Sequence, residues 1–269
     1  MTAWTPKLIA SDMDGTLLRS DETVAPATLE QVRAWGEDGV PFVLATGRPP
    51  RWMLSIREVV PEGVAVCCNG AVQLDLGRFE VLHEHAMDVD VLRHVTAELR
   101  REQPGTWFAV EYGLEFRHEP VYQPRWDVDA PGVAVATLDE MVSAPAAKLL
   151  ARHEDLPREE FLDLVARAVG DRATVTNSSS DALAEISAKG VSKATGLADV
   201  CADLGIGPAD VVFFGDMPND VAAFEWVRAG GGRAVAMGNA HPDVLAVATD
   251  VTARNDEDGV ARFLAGLRG

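Results

Sequence analysis

Positive charge is what this sequence is shortest of. Its 269 residues hold 24 Lys and Arg against 42 Asp and Glu, a formal charge of −18 at pH 7. Only four of the cations are lysines: Lys7, Lys148, Lys189 and Lys193. Such a field repels phosphate backbones and argues against a nucleic-acid binder. A small anionic substrate would need local cations or a metal. Cysteine is also sparse. Cys67, Cys68 and Cys201 are an odd number and form no disulfide framework. No apolar run approaches the roughly 18–20 residues that span a bilayer, which argues against a membrane protein. The first residues, Met1 to Lys7, lack a basic segment followed by an apolar one, which argues against secretion. A cytoplasmic protein is the expectation. There is no internal repeat and no low-complexity tract. What remains is ordinary globular composition, 47% hydrophobic and 25% charged, in a chain long enough for one large domain or two smaller ones.

Four short apolar runs end abruptly in polar or glycine-containing turns. They are 7–10 before Ser11-Asp12, 42–45 before Thr46-Gly47, 64–68 before Asn69-Gly70, and 211–214 before Gly215-Asp216. Runs of this kind fit strands buried on both faces, as in parallel sheets. Helical patterns lie between them, over 26–35, 191–204 and 241–248. Alternating strands and helices predict an α/β sheet covered on both faces. The middle of the chain reads differently. Helices are expected over 89–102 and 157–169, and strands over 107–110, 133–136, 148–151, 173–176 and 183–186, without regular alternation. This predicts an α+β insert over 86–186, within a doubly wound α/β core formed by 1–85 and 187–269.

The chemistry-bearing residues cluster at the ends of the apolar runs. Asp12 and Asp14 stand two apart where the first run ends. One such carboxylate can attack while the other moves a proton. The plain alternative is an Asp-x-Asp-Gly turn. A calcium loop starting at Asp12 would need Glu at its twelfth position, which Thr23 occupies. Thr46, Gly47 and Arg48 end the second run, where a hydroxyl and free backbone N–H groups can hold phosphate. Lys193 opens a helix and adds a point charge, with Lys189 as a rival. Asp216, Asn219 and Asp220 end the fourth run. Their hard oxygen atoms suit Mg²⁺, although Asn219 or Asp220 could equally cap the next helix. Together these groups are the inventory of phosphoryl transfer. His83 and His85, two apart, have no evident further ligand and read as structural or solvated. Trp126-Asp127 is a single dipeptide without repeats, which excludes a propeller, and the 178–180 serine run reads as a cap turn.

This set, in this order, resembles the haloacid dehalogenase superfamily, and within it the Cof-type (IIB) phosphatases. The matching segments are Asp12-Met-Asp-Gly-Thr-Leu-Leu18, Thr46-Gly-Arg48, Lys189-Gly-Val-Ser-Lys193 and Gly215-Asp-Met-Pro-Asn-Asp220. Two accessory matches are Cys68-Asn-Gly-Ala71 and Ala236-Met-Gly-Asn-Ala240. The resemblance covers the whole chain, and the insert falls where the family carries its C2-type cap. It implies that Asp12 attacks phosphorus and that Asp14 serves as acid and then base. It also implies that Thr46, Gly47, Lys193 and Asn219 hold the phosphate. Mg²⁺ would be held by Asp12, the Asp14 main-chain carbonyl and Asp216, with Asp220 bound to the metal or just behind it. The implied activity is Mg²⁺-dependent hydrolysis of small phosphomonoesters, sugar phosphates or related metabolites, through an aspartyl-phosphate. The partner is then a phosphorylated small molecule, acted on by a monomer or homodimer. The alternatives are a phosphomutase with the same chemistry and a non-enzymatic phosphoacceptor or binding protein.

Overall fold

The computed structural model describes residues 4–57, 60–122, 130–176 and 182–268; Trp126 and the 178–180 serine run lie outside the described residues. The chain forms two units. The first comprises Met1–Arg48, Trp52–Leu82 and Ser192–Gly269, and the second Pro49–Arg51 and His83–Val191. The junctions fall at 82/83 and 191/192, against the expected 85/86 and 186/187. Pro49–Arg51 joins the second unit because the Arg51 guanidinium pairs with Glu111 and lies 4.5 Å from the Phe116 ring centre.

In chain order the strands begin with β1 (Leu8–Ser11), β2 (Phe42–Ala45), β3 (Val64–Cys67), β4 (Val72–Asp75) and β5 (Glu80–Glu84). Then follow β6 (Trp107–Tyr112), β7 (Glu115–His118), β8 (Val133–Val135), β9 (Lys148–Arg152), β10 (Ala173–Thr176) and β11 (Leu183–Ala188). The last are β12 (Val211–Gly215), β13 (Arg233–Ala236) and β14 (Asp250–Val251). The helices are α1 (Pro26–Glu37), α2 (Val89–Glu102), α3 (Leu138–Met141), α4 (Arg158–Val169), α5 (Lys193–Asp203), α6 (Val221–Gly230), α7 (Pro242–Val247) and α8 (Gly259–Arg268).

The first unit is built on a sheet of order β14-β13-β12-β1-β2-β3-β4-β5. It is parallel from β14 to β3, and β4 returns antiparallel to β3. That hairpin turns at Asn69-Gly70. β1 is buried along its whole length, which its unbroken Leu-Ile-Ala-Ser run permits. Because side chains alternate along a strand, Leu8 and Ala10 face one layer and Ile9 the other. On the first face Leu197, Val200, Phe224, Val227 and Val244, from α5, α6 and α7, complete the core. On the other, Phe263 of α8 meets Phe214 edge to face at 5.5 Å. The core is thus a doubly wound α/β sheet. Strand order reverses about β1, since β2 lies to one side and β12 to the other. Open α/β sheets place ligands outside the carboxyl ends of the strands at such a point.

The second unit carries a sheet of order β10-β11-β9-β6-β7-β8, antiparallel except for β7 beside β8. One face is covered by α2 and α4 through Leu92, Leu99, Phe161 and Val165. The other carries buried ion pairs, Arg51 with Glu111 and Lys148 with Glu185 (2.7 Å). It is an α+β unit, as expected of the insert.

Candidate active site

The site is built at the carboxyl ends of β1 and β12. The N–H of Asp12 still donates to the Phe214 carbonyl (2.9 Å), so the residue leaves the sheet in strand geometry. The chain then makes one wide turn, closed by the Leu18 N–H on the Met13 carbonyl (2.8 Å). Gly15 sits in this turn at φ +74°, where side chains are disfavoured. A Cβ there would lie 2.3 Å from Asp216 Oδ2, so the glycine lets the β1 loop approach the β12 loop. Thr16 Oγ1 donates to Asp216 Oδ1 (2.7 Å), joining the two loops.

Lys193 is the centre of the arrangement. Ser192 caps α5 by accepting from the Thr195 N–H, and this fixes where the helix starts. The lysine side chain, fully buried, then reaches Asp12 Oδ1 (2.6 Å) and Asp220 Oδ1 (2.7 Å). Asp220 Oδ2 accepts from the N–H groups of Asp216 (3.0 Å) and Met217 (2.9 Å). Both Asp220 oxygens are therefore engaged, one holding the ammonium and the other shaping the β12 turn.

Burial works against ionisation here. It pushes the Asp12 carboxyl well above its usual range, opposed by Lys193 and assisted by Asp220 and Asp216. It pushes Asp216 up to about 6, against the Thr16 hydrogen bond. Burial also opposes the Lys193 charge, but Asp12 and Asp220 outweigh it and hold the ammonium above its ordinary value. Asp12, Asp216 and Asp220 bring carboxylate oxygens within 4.8 Å of one another. With all three ionised, three carboxylates against one ammonium would carry an excess of two negative charges in a buried space, which is what burial resists. A divalent cation cancels that excess, and an all-oxygen donor set is what Mg²⁺ takes. The residues present fit the ion.

The other expected residues surround this centre. Asp14 is turned outward, half exposed, and is gripped by Arg48 through Nε (2.9 Å) and Nη2. Thr46 is fully buried after β2, and its hydroxyl accepts from the Arg48 N–H (3.0 Å). Gly47 and Asn219 both lie beside Asn69: Asn219 Nδ2 donates to Asn69 Oδ1 (3.0 Å). Lys189, the rival cation, is exposed and lies 3.6 Å from Asp171. His83 and His85 contact one another edge on. Two contributors carried no assigned role in the sequence. Arg48 could have been any surface cation. Asn239, inside an accessory match, donates to the Gly15 carbonyl (2.8 Å) and contacts Asp216 (3.4 Å).

The geometry is a cluster of three carboxylates around a buried ammonium at the carboxyl ends of a doubly wound sheet, and the comparisons identify the family. Residues 9–264 match the haloacid dehalogenase-like hydrolases, and the chain belongs to that family. It is a phosphatase of the Cof type. A relative in Bacillus subtilis, 5-amino-6-(5-phospho-D-ribitylamino)uracil phosphatase YitU, is 29% identical over 96% of each chain. Pyridoxal phosphate phosphatase YbhA of Escherichia coli is 28% identical over 97% of this chain and 98% of its own. Among solved structures, a haloacid dehalogenase-like hydrolase from Bacteroides thetaiotaomicron superposes with a TM-score of 0.80 at 24% identity, over 98% of this chain and 100% of that one. The subclass IIB sugar phosphatase BT4131 gives 0.78 at 22% identity, over 97% of this chain and 98% of its own. These last two likenesses show the shared fold. No described helix is long and apolar enough to cross a membrane.

Proposed function

We propose that the protein hydrolyses small phosphomonoesters, with Mg²⁺, through an aspartyl-phosphate on Asp12. The observation that carries this reading is the buried Lys193 ammonium bonded to Asp12 and Asp220, with Asp216 in the same cluster. A carboxylate held beside a fixed cation is oriented to attack an anion that would otherwise be repelled. In the first step an Asp12 oxygen bonds to phosphorus as the bond from phosphorus to the ester oxygen breaks. Asp14 gives its proton to the departing alcohol. In the second step water attacks phosphorus and passes a proton to Asp14. The bond from phosphorus to Asp12 breaks, and inorganic phosphate is released with the Asp12 carboxylate restored. Mg²⁺, when bound, would be held by the Asp12 carboxylate, the Asp14 main-chain carbonyl and Asp216, and supplies charge screening. Thr46, Gly47, Lys193 and Asn219 hold the phosphate oxygens, and Asp220 acts by holding Lys193.

Two relatives are named for a phosphorylated ribitylaminouracil and for pyridoxal phosphate, both small phosphomonoesters. That supports a metabolite phosphoester as the substrate, with sugar phosphates in the same class. The test is a panel of phosphorylated metabolites assayed for phosphate release with Mg²⁺, using wild type and Asp12→Asn. The wild type should release phosphate from a subset of the panel and the variant from none. Equal rates would reject the assignment.

A further inference from the structure

The turn at 68–70 is hydrogen-bonded to two of the segments proposed above to handle phosphate and packs against a third. Cys68 and Asn69 have φ of +52° and +56°, two successive side-chain-bearing residues in the left-handed region, both buried. Asn tolerates that region better than most residues and Cys does not, so the surroundings must hold the turn. They do so through bonds to the β2 loop. The Asn69 N–H donates to the Thr46 carbonyl (2.9 Å) and the Cys68 N–H to the Arg48 carbonyl (3.0 Å). Gly70 packs against the start of α5, where a Cβ would lie 2.0 Å from the Ser192 carbonyl oxygen. The Asn69 side chain completes the set: its Oδ1 accepts a hydrogen bond from Asn219 Nδ2, 150 residues away.

We infer that Asn69 is a positioning residue that fixes the orientation of the Asn219 amide for phosphate. The inference rests on the functional reading above. With Asn69 accepting, Asn219 Oδ1 is a buried atom with no hydrogen-bond partner among the described residues. An unpartnered buried carbonyl is costly, and a carbonyl cannot donate to a phosphate oxygen. Turning both amides over exchanges only their Oδ1 and Nδ2 atoms and leaves every heavy-atom position occupied. Asn69 then donates to Asn219, and the unpartnered corner of Asn219 becomes an N–H₂ group, which is what a phosphate oxygen requires. Asn69 thus selects the useful sense of its neighbour while its own backbone sets the Thr46 loop.

The test is direct titration of inorganic phosphate into the full-length protein with Mg²⁺, alongside kcat and KM. Asn69→Gly keeps the left-handed turn and removes the amide, and should weaken phosphate affinity about tenfold. Asn69→Asp keeps the size of the side chain but, ionised, can only accept. It should lock Asn219 with its carbonyl toward the phosphate and weaken binding further than Asn69→Gly. Adding Asn219→Ala to Asn69→Gly should cost little beyond Asn219→Ala alone, because the two act as one unit. A merely structural role would lower the melting temperature and leave phosphate affinity unmoved. Affinity within twofold of wild type in both Asn69 variants would overturn the inference, as would losses that multiply fully in the double variant. A wild type that binds phosphate but hydrolyses no ester would instead overturn the functional reading alone.

Discussion

Asp14 and Arg48 show how much a single side chain decides. Asp14 is outside the buried cluster, and its carboxylate faces the Arg48 guanidinium rather than Lys193. In its proposed acid role Asp14 would leave the Arg48 guanidinium that holds it in this structure. Asp14→Asn should reduce turnover by about 10²–10⁴ on alkyl phosphates, whose alcohols need protonation, in single-turnover measurements. The loss should be much smaller on p-nitrophenyl phosphate, whose leaving group does not. Equal losses on both would remove the acid role. Asp216 makes a different demand. Its carboxylate, raised to about 6 by burial, lacks a cationic partner at bonding distance among the described residues and is held by Thr16 and Asn239. Chelation should abolish activity and Mg²⁺ restore it, with Ca²⁺ a poor substitute because it is larger and takes more ligands. In Asp216→Ala the Mg²⁺ concentration for half-activation should rise at least tenfold; an unchanged value would exclude Asp216 from the metal site.

At the scale of elements, the site depends on loops that approach one another more closely than side chains would allow. Gly15→Ala introduces a Cβ 2.3 Å from Asp216 Oδ2 in a backbone that costs an L residue roughly 1–2 kcal/mol. The variant should melt at a lower temperature and need more Mg²⁺, both read on one preparation by thermal denaturation and metal titration. A change in neither would mean that the two loops are free to separate. The elements themselves were largely legible in the residues. β2, α2 and β10 have the bounds that their apolar patterns predicted, because each is bracketed by turn residues or by a change of period. α6 was anticipated only as the helix that Asn219 or Asp220 would cap, without bounds. Its Ala223, Phe224, Trp226 and Val227 are too apolar to show a clean stripe, and it follows Asp220 with no break after the β12 turn. β5 was missed because its residues are mostly exposed and polar. The convergence of Asp12, Lys193 and Asp216 was legible only through motif order. The Arg48–Asp14 and Asn69–Asn219 pairs span 34 and 150 residues and leave no periodic trace.

For the whole molecule, the division into two units suggests a division of labour. Every residue proposed above to hold phosphate or metal belongs to the first unit, and such groups would recognise only what all phosphoesters share. Discrimination between alcohols would then fall to the insert. Replacing 86–186 with a short Gly/Ser linker should leave slow cleavage of p-nitrophenyl phosphate and flatten the ranking of kcat/KM across a metabolite panel, once circular dichroism shows the remainder folded. An unchanged ranking would place selectivity in the first unit. Beneath both units lies the central claim, that Asp12 is the atom-to-atom acceptor of phosphate. It is tested most directly by acid-quenching the enzyme during turnover of a phosphoester and locating the phosphoryl group by peptide mass spectrometry. The account predicts one phosphorylated peptide, carrying the group on Asp12 and absent from Asp12→Asn. A phosphoryl group on any other residue, or full turnover by Asp12→Asn, would contradict it.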